Sequence, residues 1–383
     1  MKLLRLPEAW RRELFCLRLR PFSKEVLRIR FLITVAVLIA FSNWLGHFLL
    51  IRYPDQLTLD AFAKTVPVRL ARACTIVRIG SSDYEHLFRA QSPLPPQQLS
   101  DAISRILTLH PAVLAVDLDT SAARFAKLAI PTTSIPIVWA RDAADETTVT
   151  ALPVLGNRSP DPRDWGFVLV PYDPDWTIRR HPREIHIGAR SWPSFHWAIT
   201  EAFCRTTPSD QGCAKVERLR HSPGDLSMPL YHYHVTFPVV ELGDLMQPGA
   251  IDANNALQGR IVLLGGYYSP CDRFATPFGV RQAVELIGSA VEAELDPQHQ
   301  ADIEGFATII IELVLAITIS WIHYLFRPRY ALVVTFIMLG VIFLEGTYVA
   351  FRFAGYRMGI IPFVVGLWIE QTFESAEGAH RHS

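Results

Sequence analysis

The placement of apolar stretches constrains this chain more than any other feature. One stretch lies near the start, residues 31–51, and three crowd the end, residues 306–326, 330–351 and 356–373. A helix needs about 20 predominantly apolar residues to cross the hydrocarbon of a bilayer. The first three stretches meet that requirement, and the fourth is shorter and contains Pro362. Basic residues set the orientation. Lys2, Arg5, Arg11, Arg12, Arg18, Arg20, Lys24, Arg28 and Arg30 precede the first stretch, against Glu8, Glu13 and Glu25. The positive-inside rule therefore holds this flank in the cytosol. A cleaved signal peptide has a shorter charged region and an apolar core of about 7–15 residues, so an uncleaved anchor is the better reading.

This divides the chain into a basic cytosolic segment 1–30, a first span 31–51, an extracytoplasmic domain 52–304, spans at 306–326, 330–351 and 356–373, and a short tail 374–383. The Arg327-Pro328-Arg329 turn then lies inside, as the rule requires, whereas Arg352 and Arg357 fall outside. With 37 basic and 37 acidic residues the chain has no net charge, which removes the electrostatic footprint of a nucleic-acid partner. The lipid bilayer is the expected surrounding, and the basic tail suits anionic headgroups.

Five cysteines separate by position. Cys16 is expected as a free cytosolic thiol. Cys74, Cys204, Cys213 and Cys271 fall in the outer domain, where oxidation is permitted. Cys204 and Cys213 flank a turn at 208–212, which makes them the candidate local disulfide. Cys74 precedes one expected strand and Cys271 follows another, which puts them at opposite ends of a parallel sheet and out of bridging range. No CxxC spacing indicates a metal site.

Within the outer domain, strand and helix patterns alternate. Thr75-Ile76-Val77-Arg78-Ile79 ends at Gly80 and reads as a strand. Pro95 and Pro96 open a helix whose apolar positions Leu99, Ile103, Ile106 and Leu107 recur at helical spacing. Residues 112–116 read as a second buried strand, so the unit predicts a parallel pair joined by a right-handed crossover. Residues 135–139 suggest a third strand, with Pro136 at its start or on an edge. Segments 166–170, 234–240 and 260–264 continue the strands, and 194–203 and 282–295 the helices. The fold expected is α/β, a mostly parallel sheet with flanking helices, plus four transmembrane α-helices.

Open parallel sheets bind ligands beyond the carboxyl ends of their strands. Asp83 follows the first strand, Asp117 and Asp119 the second, and Asp272 and Arg273 the last. Each has a plain alternative, as a helix cap, a loop brace or an ion pair. Together they are the candidate ligand-binding residues. No nucleophile, base and orienter line up, and no catalytic residue, cofactor or metal is expected. His181 and His186 share a charged segment and are read as solvent-facing, as are His232 and His234.

Two runs carry a family resemblance. One is Leu257-Gln258-Gly259-Arg260-Ile261-Val262-Leu263-Leu264-Gly265 followed by Asp272-Arg273-Phe274-Ala275-Thr276-Pro277-Phe278-Gly279. The other is Gly166-Phe167-Val168, Pro171-Tyr172-Asp173-Pro174-Asp175 and the Arg179-Arg180 pair. Both resemble the signatures of CHASE domains of type two, extracytoplasmic sensory domains associated with cyclases and histidine kinases. The chain departs from the family at Gly80-Ser81-Ser82-Asp83, where relatives usually carry Gly-Ile-Asp-Asp, and at Ala283-Val284-Glu285-Leu286, where Gly-Val-Glu-Ile-His is common.

The resemblance implies a sensory or accessory protein of a bacterial inner membrane, with its main domain in the periplasm and no enzymatic activity. Most relatives continue into a cytosolic kinase or cyclase, whereas about ten residues follow the last apolar stretch here. The expected partner is therefore a separate membrane or cytosolic signalling effector, reached through the membrane helices, with homo-oligomerisation open. Glu312 and Glu345, ionisable groups within apolar stretches, are the candidate coupling residues. Alternatives are a structural docking subunit of an envelope complex and, more remotely, a periplasmic metal-dependent hydrolase using the aspartates.

Overall fold

Short runs of aliphatic and β-branched residues build the centre of the outer domain. A computed structural model of the chain describes residues 56, 57, 60–142, 152–157, 161–187, 190–220, 227–229, 234–247, 256–268 and 273–297, with Thr318, Val334 and Ile337. The expected membrane spans otherwise lie outside the described residues, as do Cys16, Cys271, Asp272, Glu312 and Glu345. Among the described residues no helix is long and apolar enough to cross a membrane. Residues 63–301 form one compact unit.

In chain order the strands are β1 (Arg69–Leu70), β2 (Cys74–Ile79), β3 (Val113–Asp117), β4 (Ile137–Arg141), β5 (Trp165–Phe167), β6 (Arg180–Pro182), β7 (Glu184–Ile187), β8 (Arg190–Pro193), β9 (Ser227–Pro229), β10 (Val235–Thr236), β11 (Val239–Glu241), β12 (Ile261–Gly266), β13 (Arg273–Thr276) and β14 (Gly279–Gln282). The helices are α1 (Ser81–His86), α2 (Pro96–Leu107), α3 (Phe195–Thr206), α4 (Cys213–Arg220), α5 (Leu242–Leu245) and α6 (Ala283–Leu295). The main sheet has six strands in the order β11-β2-β12-β3-β4-β5, every neighbouring pair parallel.

One expected neighbour relation is corrected. β2 and β3 are parallel members of one sheet, but β12 lies between them, with Leu263 paired to Ile76 on one side and to Ala115 on the other. Ile261 through Leu264 are all buried, and a strand apolar on both faces gains most where both faces are covered. Residues 234–240 also divide. Pro238 cannot donate to a ladder, and the run splits into β10, which pairs with β1, and β11 at the sheet edge. Pro136 sits just before the interior strand β4, where its carbonyl accepts the Leu114 N–H at 3.0 Å.

Alternation of side chains along each strand produces two cores. Ile76, Val113, Ala115, Val138 and Leu263 face α3, α4 and α6. Val77, Ile79, Leu114, Val116 and Leu264 face α2 and α5. α2 begins with Pro96 at its first turn and buries Leu99, Ile103 and Ile106, each worth about 1.5–3 kcal/mol of transfer free energy. α3 is buried on nearly all sides, which brings polar residues of that helix into the interior along with apolar ones.

α3 and α4 are joined by a Cys204–Cys213 disulfide. The residue before Cys213 has to be glycine, because a Cβ on Gly212 would lie 2.1 Å from the Leu295 carbonyl oxygen at the end of α6. The bridge thus holds a turn against the last helix. Replacing both cysteines by alanine is expected to lower unfolding stability by about 2–3 kcal/mol, the entropy of so short a loop. Denaturant unfolding of the full-length protein in detergent, with and without reductant, measures it; a wild type insensitive to reductant would contradict the assignment.

Candidate functional site

The carboxyl ends of the sheet strands bring several of the expected residues to one edge. Register places Glu241 of β11 beside Arg78 of β2, Arg78 beside Gly265 of β12, and Gly265 beside Asp117 of β3. Arg78 and Glu241 form an ion pair. The Arg78 guanidinium also stands over the Tyr267 ring, 5.3 Å from its centroid. Gly265 leaves room for α6, since a Cβ there would lie 2.9 Å from Cβ of Val284. Burial, with Glu285 close by, pushes the Tyr267 phenol well above its usual range, so it stays neutral.

The other expected residues take distinct parts. Asp83 caps α1, accepting the Gly80 N–H at 3.2 Å, and its carboxylate packs against Gly243, where a Cβ would sit 2.3 Å from Oδ1. Asp119 braces its own loop by accepting the Ser121 N–H at 2.8 Å. Asp117 ends β3 half-buried, and Arg273 opens the β13–β14 hairpin exposed to solvent. On the other face of the same edge, Tyr84 and Tyr268 stack with centroids 4.1 Å apart and planes 1° from parallel. Arg141, at the end of β4, lies over Trp165 at 4.2 Å and donates from Nε to the Leu152 carbonyl.

A second polar group is wholly internal and was not expected. Arg183 donates to both carboxylate oxygens of Glu294, at 2.5 and 3.0 Å, and both side chains are sealed from solvent. His196 Nε2 lies 3.7 Å from Glu294 Oε1, while its Nδ1 shares a 2.9 Å hydrogen bond with Ser194 Oγ. The His181 ring meets the His196 ring edge-on at 4.2 Å. His181 is therefore buried, which corrects the solvent-facing reading; β6 carries it inward to pack on α3. Burial alone opposes ionisation of Glu294, but His196 and Arg183 outweigh it and hold its pKa below the usual carboxylate range.

Beside this group, α6 ends in a clamp. Glu292 Oε1 accepts the N–H groups of Ala73 and Cys74, both at 2.7 Å, and Oε2 accepts that of Arg72 at 3.1 Å. Lys215 Nζ donates to the carbonyls of Ala293 and Asp296, both at 3.1 Å, and burial lowers its pKa to about 8. Burial, reinforced by Glu292, pushes the Cys74 thiol well up, so this thiol is not a reactive one. The sequence signal lay in Glu292 and Glu294. Two carboxylates in the last turn of a mostly apolar helix that buries most of its surface must find internal partners.

A parallel six-stranded sheet with acidic, basic and aromatic residues gathered at its carboxyl edge is the layout of an α/β binding domain. The chain matches the CHASE2 domain over residues 32–323 and belongs to that family. CHASE2 domains are extracytoplasmic sensory domains of membrane proteins, acting in signalling and typically non-catalytic. No curated protein and no solved structure matches the chain. Among the described residues no group of three histidine, cysteine or acidic side chains is arranged to hold a metal ion.

The buried pair makes a clear expectation. Arg183→Leu or Glu294→Leu alone strands a charge in the core and is expected to cost about 3–5 kcal/mol. The double substitution removes both charges and is expected to cost less than the sum of the two. Thermal unfolding of the four proteins completes the cycle; additive losses would contradict a direct pairing.

Proposed function

We propose that this domain senses a small ligand at the carboxyl edge of its sheet and passes its state through the membrane helices to a separate signalling effector. The observation that supports this most is the row Glu241, Arg78, Gly265 and Asp117, against which the amino end of α6 rests through Val284. A ligand held in that row touches the start of the one helix that leads on toward the second apolar stretch. Differential affinity for two positions of that helix is what a ligand needs to shift a population. Asp117, Asp119 and Arg273 are the proposed ligand-facing residues, and Asp83 supports them by fixing α1 against Gly243 of α5. Asp272 and the coupling residues Glu312 and Glu345 remain part of this proposal on their sequence positions alone.

A docking role is the second reading, and one surface favours it. Trp176 is 73% exposed at a left-handed turn position, φ 60°, beside Tyr172 at 5.6 Å. Buried Arg179 braces that turn through Asp173 and Asp175 at 3.0 and 2.6 Å. The discriminating experiment is a mild-detergent purification of the tagged full-length protein with mass spectrometry of what stays bound. Sensing predicts a kinase, cyclase or other signalling enzyme, whose activity changes when Asp117 is replaced by Asn. Recovery of envelope-assembly proteins, lost on Trp176→Ala, would favour docking and count against sensing.

A further inference from the structure

Two buried imidazoles in contact are an uncommon use of core volume, because a buried polar group without a partner costs stability and calls for an explanation. His181 and His196 are both fully buried. Neither ring nitrogen of His181 meets a hydrogen-bond partner, although the Pro182 backbone lies close enough to favour its charged form slightly. His196 Nε2 is likewise unbonded, aimed at Glu294 from 3.7 Å. We propose that this histidine pair is a proton-binding site, a second input to the domain, whose occupation releases the carboxyl end of α6 from α3 and β6. The input is independent of the sheet-edge crevice, so a domain blind to ligand would still respond to acid.

The surroundings explain the direction. The charged groups facing the pair are Arg183 at the head of the β7 hairpin, Glu294 on α6 and, through Glu294, Lys215 on α4. β9, which pairs with β6, brings no titratable residue. With both imidazoles neutral, Glu294 balances Arg183 through two hydrogen bonds. A proton arriving from water at His196 Nε2 makes an imidazolium that competes with Arg183 for the same carboxylate. No second carboxylate meets the pair among the described residues. Each added proton is thus an uncompensated cation in a dry site, and a second cation 4.2 Å away repels the first. Opening to water relieves both.

Burial holds the pKa of His181 well below its usual value and that of His196 below it, Glu294 only partly restoring the latter. An open or unfolded chain takes up these protons near pH ~6.5. Above that value both states are neutral and the closed state keeps its full stability. As pH falls below it, the open state binds protons first, so closure weakens steadily until the closed-state pKa values are reached. Such a window covers the acidification that histidine switches read elsewhere.

The test is amide hydrogen exchange on the full-length protein in lipid nanodiscs at about pH 7.5 and about pH 5.5, corrected for the intrinsic pH dependence of exchange. In the wild type, peptides from residues 283–295 and 195–206 are expected to exchange about tenfold to a hundredfold faster at the lower pH, each of the two histidines adding up to about tenfold over the pH unit below ~6.5. H181F and H196Q are each expected to shrink that acceleration, and the double variant to abolish it. An unchanged wild type, or a double variant that accelerates equally, overturns the proposal. Should the variants fail to fold, the wild type decides through the deuterium exchange of its imidazole C2 protons. Two histidines protonating below the usual value in step with α6 opening uphold the site, and normal titration of all of them overturns it.

Discussion

The carboxylate of Glu292 joins the beginning of the central sheet to the end of the last helix, and the rest of the domain is arranged around that junction. It accepts three successive backbone N–H groups, those of Arg72, Ala73 and Cys74, which lead into β2. Hydrogen bonds to an ionised acceptor are roughly twice as strong as neutral ones. Around them Arg72 pairs with Asp210 at 2.7 Å and reaches the Leu295 carbonyl, while Arg69 meets Asp296 at 3.3 Å. The polypeptide arriving from the first apolar stretch and the polypeptide departing toward the second are therefore fastened to each other within the domain.

α6 runs from one edge of the sheet to the other. Its amino end lies at Gly265, on the carboxyl edge of the sheet, and its carboxyl end lies at Cys74, on the opposite edge. The helix has 13 residues, about 20 Å in length, which matches the length of a six-residue strand. The sheet edge that carries Arg78 and Asp117 and the clamp at Glu292 therefore lie at the two ends of one helix. The buried Arg183–Glu294 pair and its histidines sit along the same last turn. Buried ion pairs contribute little net stability but strongly penalise misplacement, which suits a helix with two discrete positions better than one that slides.

Much of this was legible in the residues. Short β-branched and apolar runs located the strands 74–79, 113–117 and 261–266 within a few residues. The helices 96–107, 195–206 and 283–295 were located as closely, the first of them by its helical spacing of apolar positions. Asp83 and Asp117 were placed just past strand ends, so their arrival at one sheet edge followed from parallel topology. Strand order was not legible, because the insertion of β12 between β2 and β3 is decided by which strand gains most from two covered faces. The histidine cluster was missed because local sequence around His181 is polar and rich in arginine, and only its packing on α3 brings it inside. Glu292 and Glu294 were the available warning.

Hydrogen exchange of individual amides in the full-length protein tests the central junction most directly. If Glu292 holds the two chain ends as one unit, the amides of Arg72, Ala73 and Cys74 and those of the last turn of α6 open together, and Glu292→Gln accelerates both sets alike. Rapid exchange at Arg72, Ala73 and Cys74 while the last turn of α6 stays protected would contradict the account.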